Sequence, residues 1–346
     1  MGKDVADLSM AEVWAYARCP YEHFWRYAAG IAPPPTARGL VEQVVCQALR
    51  SYYGGGGSTE RLDRARRGLA EVGGNVVQCV GQAWRETLGR WGYTNDTWDV
   101  LVKFAAARAR VMEPFLSGRA VKRDGSRYKV PEMSNEYKRR AMDAGLPHLA
   151  ARLNERLAGA PVSVAEEYGI PEAFSDSVEI AGRNTWPGVD AVAGVGVPFA
   201  VHLTDGLTLG GAADLVTLSG RQAGVEVHDW GAVCPPTAIV RRDLRVVAAL
   251  HAAAEGWDEV ERVVFRHMRT GATVSVQRLP GTGRLLAAAV AAAAGIRCRV
   301  YVPRLAAQSR DCLVCEFYGL CTDGQDVLDT LDPTLLAEIG GRAEKE

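Results

Sequence analysis

The sequence predicts an α/β protein, a mixed central sheet flanked by helices with a long helical insert ahead of the sheet. Three observations predict it. Residues 9–158 carry apolar positions at helical spacing, broken only at Pro- and Gly-rich joints. From residue 161 alternating and β-branched stretches recur, and a helical stretch separates the first group of strands from a last pair. The chain of 346 residues is 48% hydrophobic, enough for one large or two ordinary domains with a real core.

The elements follow in order. In "SMAEVWAYARCPYEHFWRYAAG" Ser9 is placed to cap a helix, and Cys19-Pro20 divides the run into two short helices. "PPPTARG" leads into the helix "LVEQVVCQALRSYY", which ends at Gly54–Gly57. Helical patterns continue through "RLDRARRGLAEV", "NVVQCVGQAWRETLGRW", "TWDVLVKFAAARARVMEPFLSG", "SNEYKRRAMDAG" and "PHLAARLNERLAG". At "PVSVAEEYGI" the pattern turns to strand, followed by "PFAVHLTDGLTLGGAADLVTLS" and "AGVEVHDWGAV" as an antiparallel meander. The helix "TAIVRRDLRVVAALHAAAEG" precedes two strands joined at Arg269-Thr270-Gly271, and "GRLLAAAVAAAAGI" is the last long helix. The expected divisions are residues 1–54 (N-terminal helices), 55–158 (helical insert), 159–322 (sheet core with a cysteine-rich end) and 323–346 (acidic, charged tail).

Net charge is −1, so no whole-protein field draws the chain to nucleic acid or membrane, and such contacts would need a local patch. The start lacks a signal-type apolar run, and the apolar stretch from Leu285 is shorter than the ~20 residues of a membrane span. The expectation is a cytoplasmic protein with no membrane partner. In a reducing compartment the eight cysteines are core residues or metal ligands rather than disulfides. Cys46, Cys79, Cys234 and Cys298 stand alone and read as small buried hydrophobes.

"DCLVCEFYGLC" is different: Cys312, Cys315 and Cys321 lie in one short segment, and a thiolate site wants a fourth ligand. In the strand region Glu166 or Glu167, Asp214 and Asp229 stand out. Isolated strand acids usually face solvent, but Asp214 sits between "GAA" and "LV", where burial must be compensated. Acids converging from adjacent strands would make an oxygen site for Mg or Mn, able to activate water against a phosphodiester.

"YARCPYEHFWRY", "GAADLV" followed by "VHDWG", and "CLVCEFYGLC" together resemble the RecB-type branch of the PD-(D/E)XK nuclease superfamily. Within it, the resemblance is to members with an iron–sulfur cluster, the AddB nuclease domain and the CRISPR-associated adaptation exonucleases. It covers most of residues 9–30 and 160–322, and its specific part is one cysteine before Pro-Tyr joined to C-x2-C-x5-C. It implies a restriction-endonuclease-like core and a 4Fe-4S cluster held by Cys19, Cys312, Cys315 and Cys321, joining the N- and C-terminal ends. Closing a loop of about 300 residues costs on the order of 5 kcal/mol, which metal–thiolate bonds can offset. Zinc is the alternative, since C-x2-C is equally a zinc-knuckle spacing.

The catalytic motif departs from the family. The pattern Asp, variable stretch, Asp/Glu-x-Lys falls on Asp214 and then Asp229-Trp230-Gly231, with Gly231 where the lysine belongs. A shifted register, Glu226-Val227-His228, puts an imidazole there instead. Gln43 stands where the family has a histidine, and the Gln-x-x-x-Tyr signature is missing from "RRDLRVVAALHAAA". Two readings follow. In one, the chain is a pseudonuclease, a platform for binding DNA or docking a complex. In the other, it is a Mg- or Mn-dependent DNA exonuclease in which Arg241, Arg242, Arg245 or His228 supplies the charge. A third class is a non-catalytic subunit of a DNA-processing or defence assembly; no G-x-x-x-x-G-K-[ST] occurs, so unwinding would fall to a helicase partner.

A local basic run supports DNA contact, to single strands or ends. Lys103, Arg108, Arg110, Arg119, Lys122, Arg123, Arg127, Lys129, Lys138, Arg139 and Arg140 outnumber nearby acids, with Tyr128 and Tyr137 interleaved to stack on bases. Arg241 and Arg242 are further candidates for DNA contact.

Overall fold

The computed structural model describes residues 8–31, 33–53, 75–116, 121–122, 126, 130–163, 168–188, 191–204, 207–219, 222–229, 260–276, 282–301 and 317. A two-residue strand, β1 (Leu8–Ser9), leads directly into α1 (Met10–Arg18). The Ser9 hydroxyl accepts from Glu12 N–H at 3.1 Å and the Glu12 carboxylate accepts from Ser9 N–H at 2.7 Å, so each end of the first turn satisfies the other. Cys19, in extended conformation, ends α1, and Pro20 opens α2 (Pro20–His23), which runs into a π-helical turn over Phe24–Ala28. The expected split at Cys19-Pro20 is therefore present.

The helices α3 (Ala37–Tyr53), α4 (Val76–Arg90), α5 (Asn95–Leu116), α6 (Val130–Asp143) and α7 (Leu146–Arg156) take up the predicted helical stretches. The expected helix "RLDRARRGLAEV" lies outside the described residues. One element goes beyond the sequence reading: after "PVSVAEEYGI", where that reading assigns no element, the chain forms α8 (Ile170–Arg183). Pro171 occupies its first turn, the Glu172 carboxylate accepts from Gly169 N–H at 3.0 Å, and Ile170, Ala173, Phe174, Ile180 and Ala181 bury one face.

The meander follows as β2 (Val192–Thr204), β3 (Leu207–Ser219) and β4 (Gln222–Asp229), all antiparallel neighbours. β5 (Val260–His267) lies parallel to β4, and β6 (Ala272–Val276) returns antiparallel through a turn with Gly271 at φ 71°. Only a residue free of a Cβ takes that φ cheaply. The mixed six-stranded sheet runs β1-β3-β4-β5-β6, with β2 also on β3. α9 (Thr282–Arg297) closes the described part of the fold.

Two hydrophobic cores sandwich the sheet. On one face Met10 and Val13 of α1 and Ala289, Ala292 and Ala293 of α9 pack on Val225, Val227, Val263 and Phe265. On the other, α3, α4, α5, α7 and α8 share one continuous core that reaches Val192, Leu215 and Met268 of the sheet region. The helical insert is thus built onto the same core as α3 and α8. A third, small cluster joins Phe24 and Trp25 to Phe317.

Candidate functional site

The site forms where β3 changes neighbours. β1 pairs with β3 at Leu209 and Gly210, whereas β4 pairs with it only from Leu215 onward. Asp214 lies just short of the last pair, Leu215↔Glu226, and its half-buried carboxylate accepts from His228 N–H at 2.7 Å. The side chain replaces the acceptor that a continuing ladder would supply, which is how its burial is compensated. Across the β2–β3 ladder, Gly196 at φ 63° lies opposite Asp214, between Val195↔Leu215 and Val197↔Ala213. Ala213 packs into one core and Leu215 into the other, so the alternation of faces breaks at Asp214.

Glu226 and His228 share a face of β4, two residues apart. Glu226 is gripped by Arg266 of β5: Nε donates to Oε2 and Nη2 to Oε1, both at 2.9 Å. Arg266 Nη1 donates to the Thr185 carbonyl at 3.2 Å, and its guanidinium lies 5.6 Å from the centre of the Trp186 ring. His228 Nε2 is 3.2 Å from Glu226 Oε2, and its ring meets Trp186 edge-on at 6.3 Å. All three polar side chains are buried. Burial alone would raise the Glu226 carboxyl; hydrogen bonds from His228 and Arg266, with their charges, outweigh it and hold the carboxyl at about 2.

Helix α3 supplies the facing wall. Burial, followed by the charges of Asp214 and Glu42, pushes the Cys46 thiol up to about 12, so Cys46 lies near Asp214 as a neutral thiol. One turn on, Arg50 reaches toward Gly196: an added Cβ there would meet its Nη2 at 3.4 Å and its Nε at 3.6 Å. Tyr53, fully buried, donates its hydroxyl proton to the Pro187 carbonyl at 2.9 Å. Gln43, the position compared with the family histidine, is exposed on α3.

The register thus brings Glu226-Val227-His228, the shifted alignment, alongside Asp214. Asp229 ends β4 opposite His267 in the β4–β5 ladder, and its side chain lies outside the described residues. Glu166, Glu167, Arg241, Arg242 and Arg245 also lie outside them, as do Cys312, Cys315 and Cys321. Arg266, which sequence reasoning missed, is the buried cation of the site among the described residues. Among the described residues no group of three His, Cys, Asp or Glu side chains is arranged to hold a metal ion.

At the chain ends, Cys19 is half-buried at the α1–α2 junction. Phe317, between Cys315 and Cys321 in sequence, is fully buried against Phe24 and Trp25, and the Arg26 guanidinium lies 5.2 Å from the centre of its ring. The ring nitrogens of His23 and the indole N–H of Trp25 are buried without hydrogen-bond partners. His23 sits among Tyr16, Tyr27 and Tyr301, stacked on Tyr301 at 5.8 Å, and burial pushes its imidazole below the ordinary histidine range.

The basic run is partly consumed internally. Arg139 pairs with Glu136 at 2.7 Å and Asp143 at 2.8 Å, and Arg140 pairs with Glu136 at 2.8 Å while lying over Phe115. Arg108 pairs with Asp176 at 2.6 Å, and Tyr137 packs on the helical core rather than standing clear to stack on bases. Lys138 and Lys103 are exposed and Lys122 is half-exposed; Arg119, Arg123, Arg127, Tyr128 and Lys129 lie outside the described residues.

No protein-family model matches the sequence, and no curated protein matches it. Among the described residues, no helix is long and apolar enough to cross a membrane.

Proposed function

We propose that the chain is a degenerate nuclease of the RecB type, a DNA-binding or complex-docking platform that has lost cleavage. The observation that carries this reading is the engagement of both Glu226 oxygens by Arg266. In the resembling families the second acid of the motif helps hold a divalent ion, which needs oxygen lone pairs and uncompensated negative charge. Here that acid is neutralised by a fixed guanidinium, and the histidine at the lysine position is spent on the same carboxylate. The described side chains do not fit a Mg or Mn site.

The layout supports the fold-level part of the reading: an antiparallel meander with the acid on its middle strand, the Glu-x-His on the next, and a parallel strand beyond. A thiolate-held cluster fits the chain ends. Phe317, two residues after Cys315 in sequence, packs against Phe24 and Trp25 just after Cys19, and the unpartnered donors of Trp25 and His23 suit a sulfur-rich neighbour. A 4Fe-4S cluster there would serve as a structural clasp, and zinc remains the other metal such ligands accept.

The test is incubation of anaerobically purified protein with end-labelled single- and double-stranded DNA in Mn or Mg, beside Asp214→Ala. The reading predicts a gel shift without degradation, the same for both proteins. Metal-dependent degradation abolished by Asp214→Ala would restore the active exonuclease, and absence of both shift and cleavage would remove DNA from the account.

A further inference from the structure

We propose that Arg50 is a phosphate-contacting residue of the site, which takes a single backbone phosphate of a nucleic-acid strand laid across β3 where it changes neighbours. This deepens the DNA-platform reading and rests on it. Four observations carry it. Arg50 is exposed, and among the described residues it makes no hydrogen bond or ion pair, whereas Arg266, the other cation of the site, is buried and committed to Glu226. Its guanidinium lies against Gly196, with Nη2, Nε and Cζ all within 3.4–3.9 Å of where a Cβ would stand. Gly196 lies opposite Asp214 in the ladder, and the charges of both Arg50 and Asp214 act on Cys46. Finally, Gly196 holds φ at 63°, which a side chain tolerates poorly, so this surface stays open for the guanidinium.

The chemistry selects the ligand class. A free guanidinium presents paired N–H donors that match two oxygens of one phosphate, and the Asp214 carboxylate on the neighbouring strand disfavours a ligand with dense negative charge. A phosphodiester, with one charge shared over two oxygens, fits better than a terminal phosphate. The guanidinium is at the surface, so the strand reaches it without any rearrangement of the buried Glu226–Arg266 pair.

The experiment measures binding of a fluorescent single-stranded oligonucleotide to the full chain, across a salt series. Wild type is compared with Arg50→Ala, Arg50→Lys and Arg156→Ala, the last a control of equal charge change on α7. Loss of one phosphate contact predicts about tenfold weaker binding for Arg50→Ala and a log–log salt slope shallower by about 0.7. Arg50→Lys falls between, and Arg156→Ala keeps the wild-type slope. Wild-type binding with an unchanged Arg50→Ala slope overturns the inference and leaves the platform reading standing. No wild-type binding overturns both. Thermal melts of each variant confirm that an exposed arginine was removed without unfolding the chain.

Discussion

At the scale of single residues, the Glu226–Arg266 pair links the site to stability. Its carboxyl is held at about 2, below the ordinary 4.5, so it stabilises the fold fully above pH 4.5 and loses that contribution as pH falls toward 2. The shift corresponds to on the order of 3 kcal/mol. Urea unfolding should therefore show a midpoint that drops across this window, and Glu226→Gln should flatten the drop. The same substitution leaves Arg266 buried without its counter-charge and is expected to cost about 3–5 kcal/mol at neutral pH. An undiminished pH dependence in Glu226→Gln would assign the acid sensitivity elsewhere. Asp214 was legible in sequence because an acid inside "GAADLV" interrupts an apolar run and demands compensation. Arg266 was not: an arginine in "VVFRHM" looks like the solvent side of a strand, and its partner lies 40 residues away.

At the scale of elements, local signals that close within a few residues were readable. Ser9 and Glu12 form the expected start of α1, and Ser9→Ala should cost about 1 kcal/mol, read as a lower thermal midpoint. α8 was missed although "GIPEAF" has the same logic, a proline in the first turn and a glutamate reaching back to the chain before it. The β-branched residues just upstream masked that signal. Packing gives α8 a second role: buried Asp176 accepts from Arg108 of α5 at 2.6 Å, from Tyr168 at 2.8 Å and from Arg269 of the β5–β6 turn at 3.3 Å. Asp176→Ala leaves Arg108 poorly solvated and should cost about 3 kcal/mol. Amide exchange should then quicken in the β5–β6 turn as well as in α8. Quickening confined to α8 would show that the turn does not depend on this carboxylate.

At the scale of the whole molecule, residues distant in sequence meet near the N-terminal helices. Tyr16 of α1 donates its hydroxyl proton to the Val300 carbonyl, and Phe317 packs on Phe24 and Trp25, so the ends meet through side chains as well as through any metal. Anaerobically purified wild type should carry iron and visible absorption, and Cys19→Ser should lose both and melt at lower temperature. Stoichiometric zinc in a colourless protein would replace the cluster with the other metal. Composition and spacing made the order of helices, meander, strand pair and last helix legible among the described residues, because each signal is local. The site was only half legible, because its cation comes from a strand beyond the next crossover. The central claim is that Glu226 belongs to Arg266 and not to a divalent ion. Calorimetric titration of wild type and Asp214→Ala with Mn2+ tests it most directly: the account predicts no saturable binding below about millimolar in either protein. One Mn2+ per chain bound at micromolar affinity, and lost in Asp214→Ala, would contradict it.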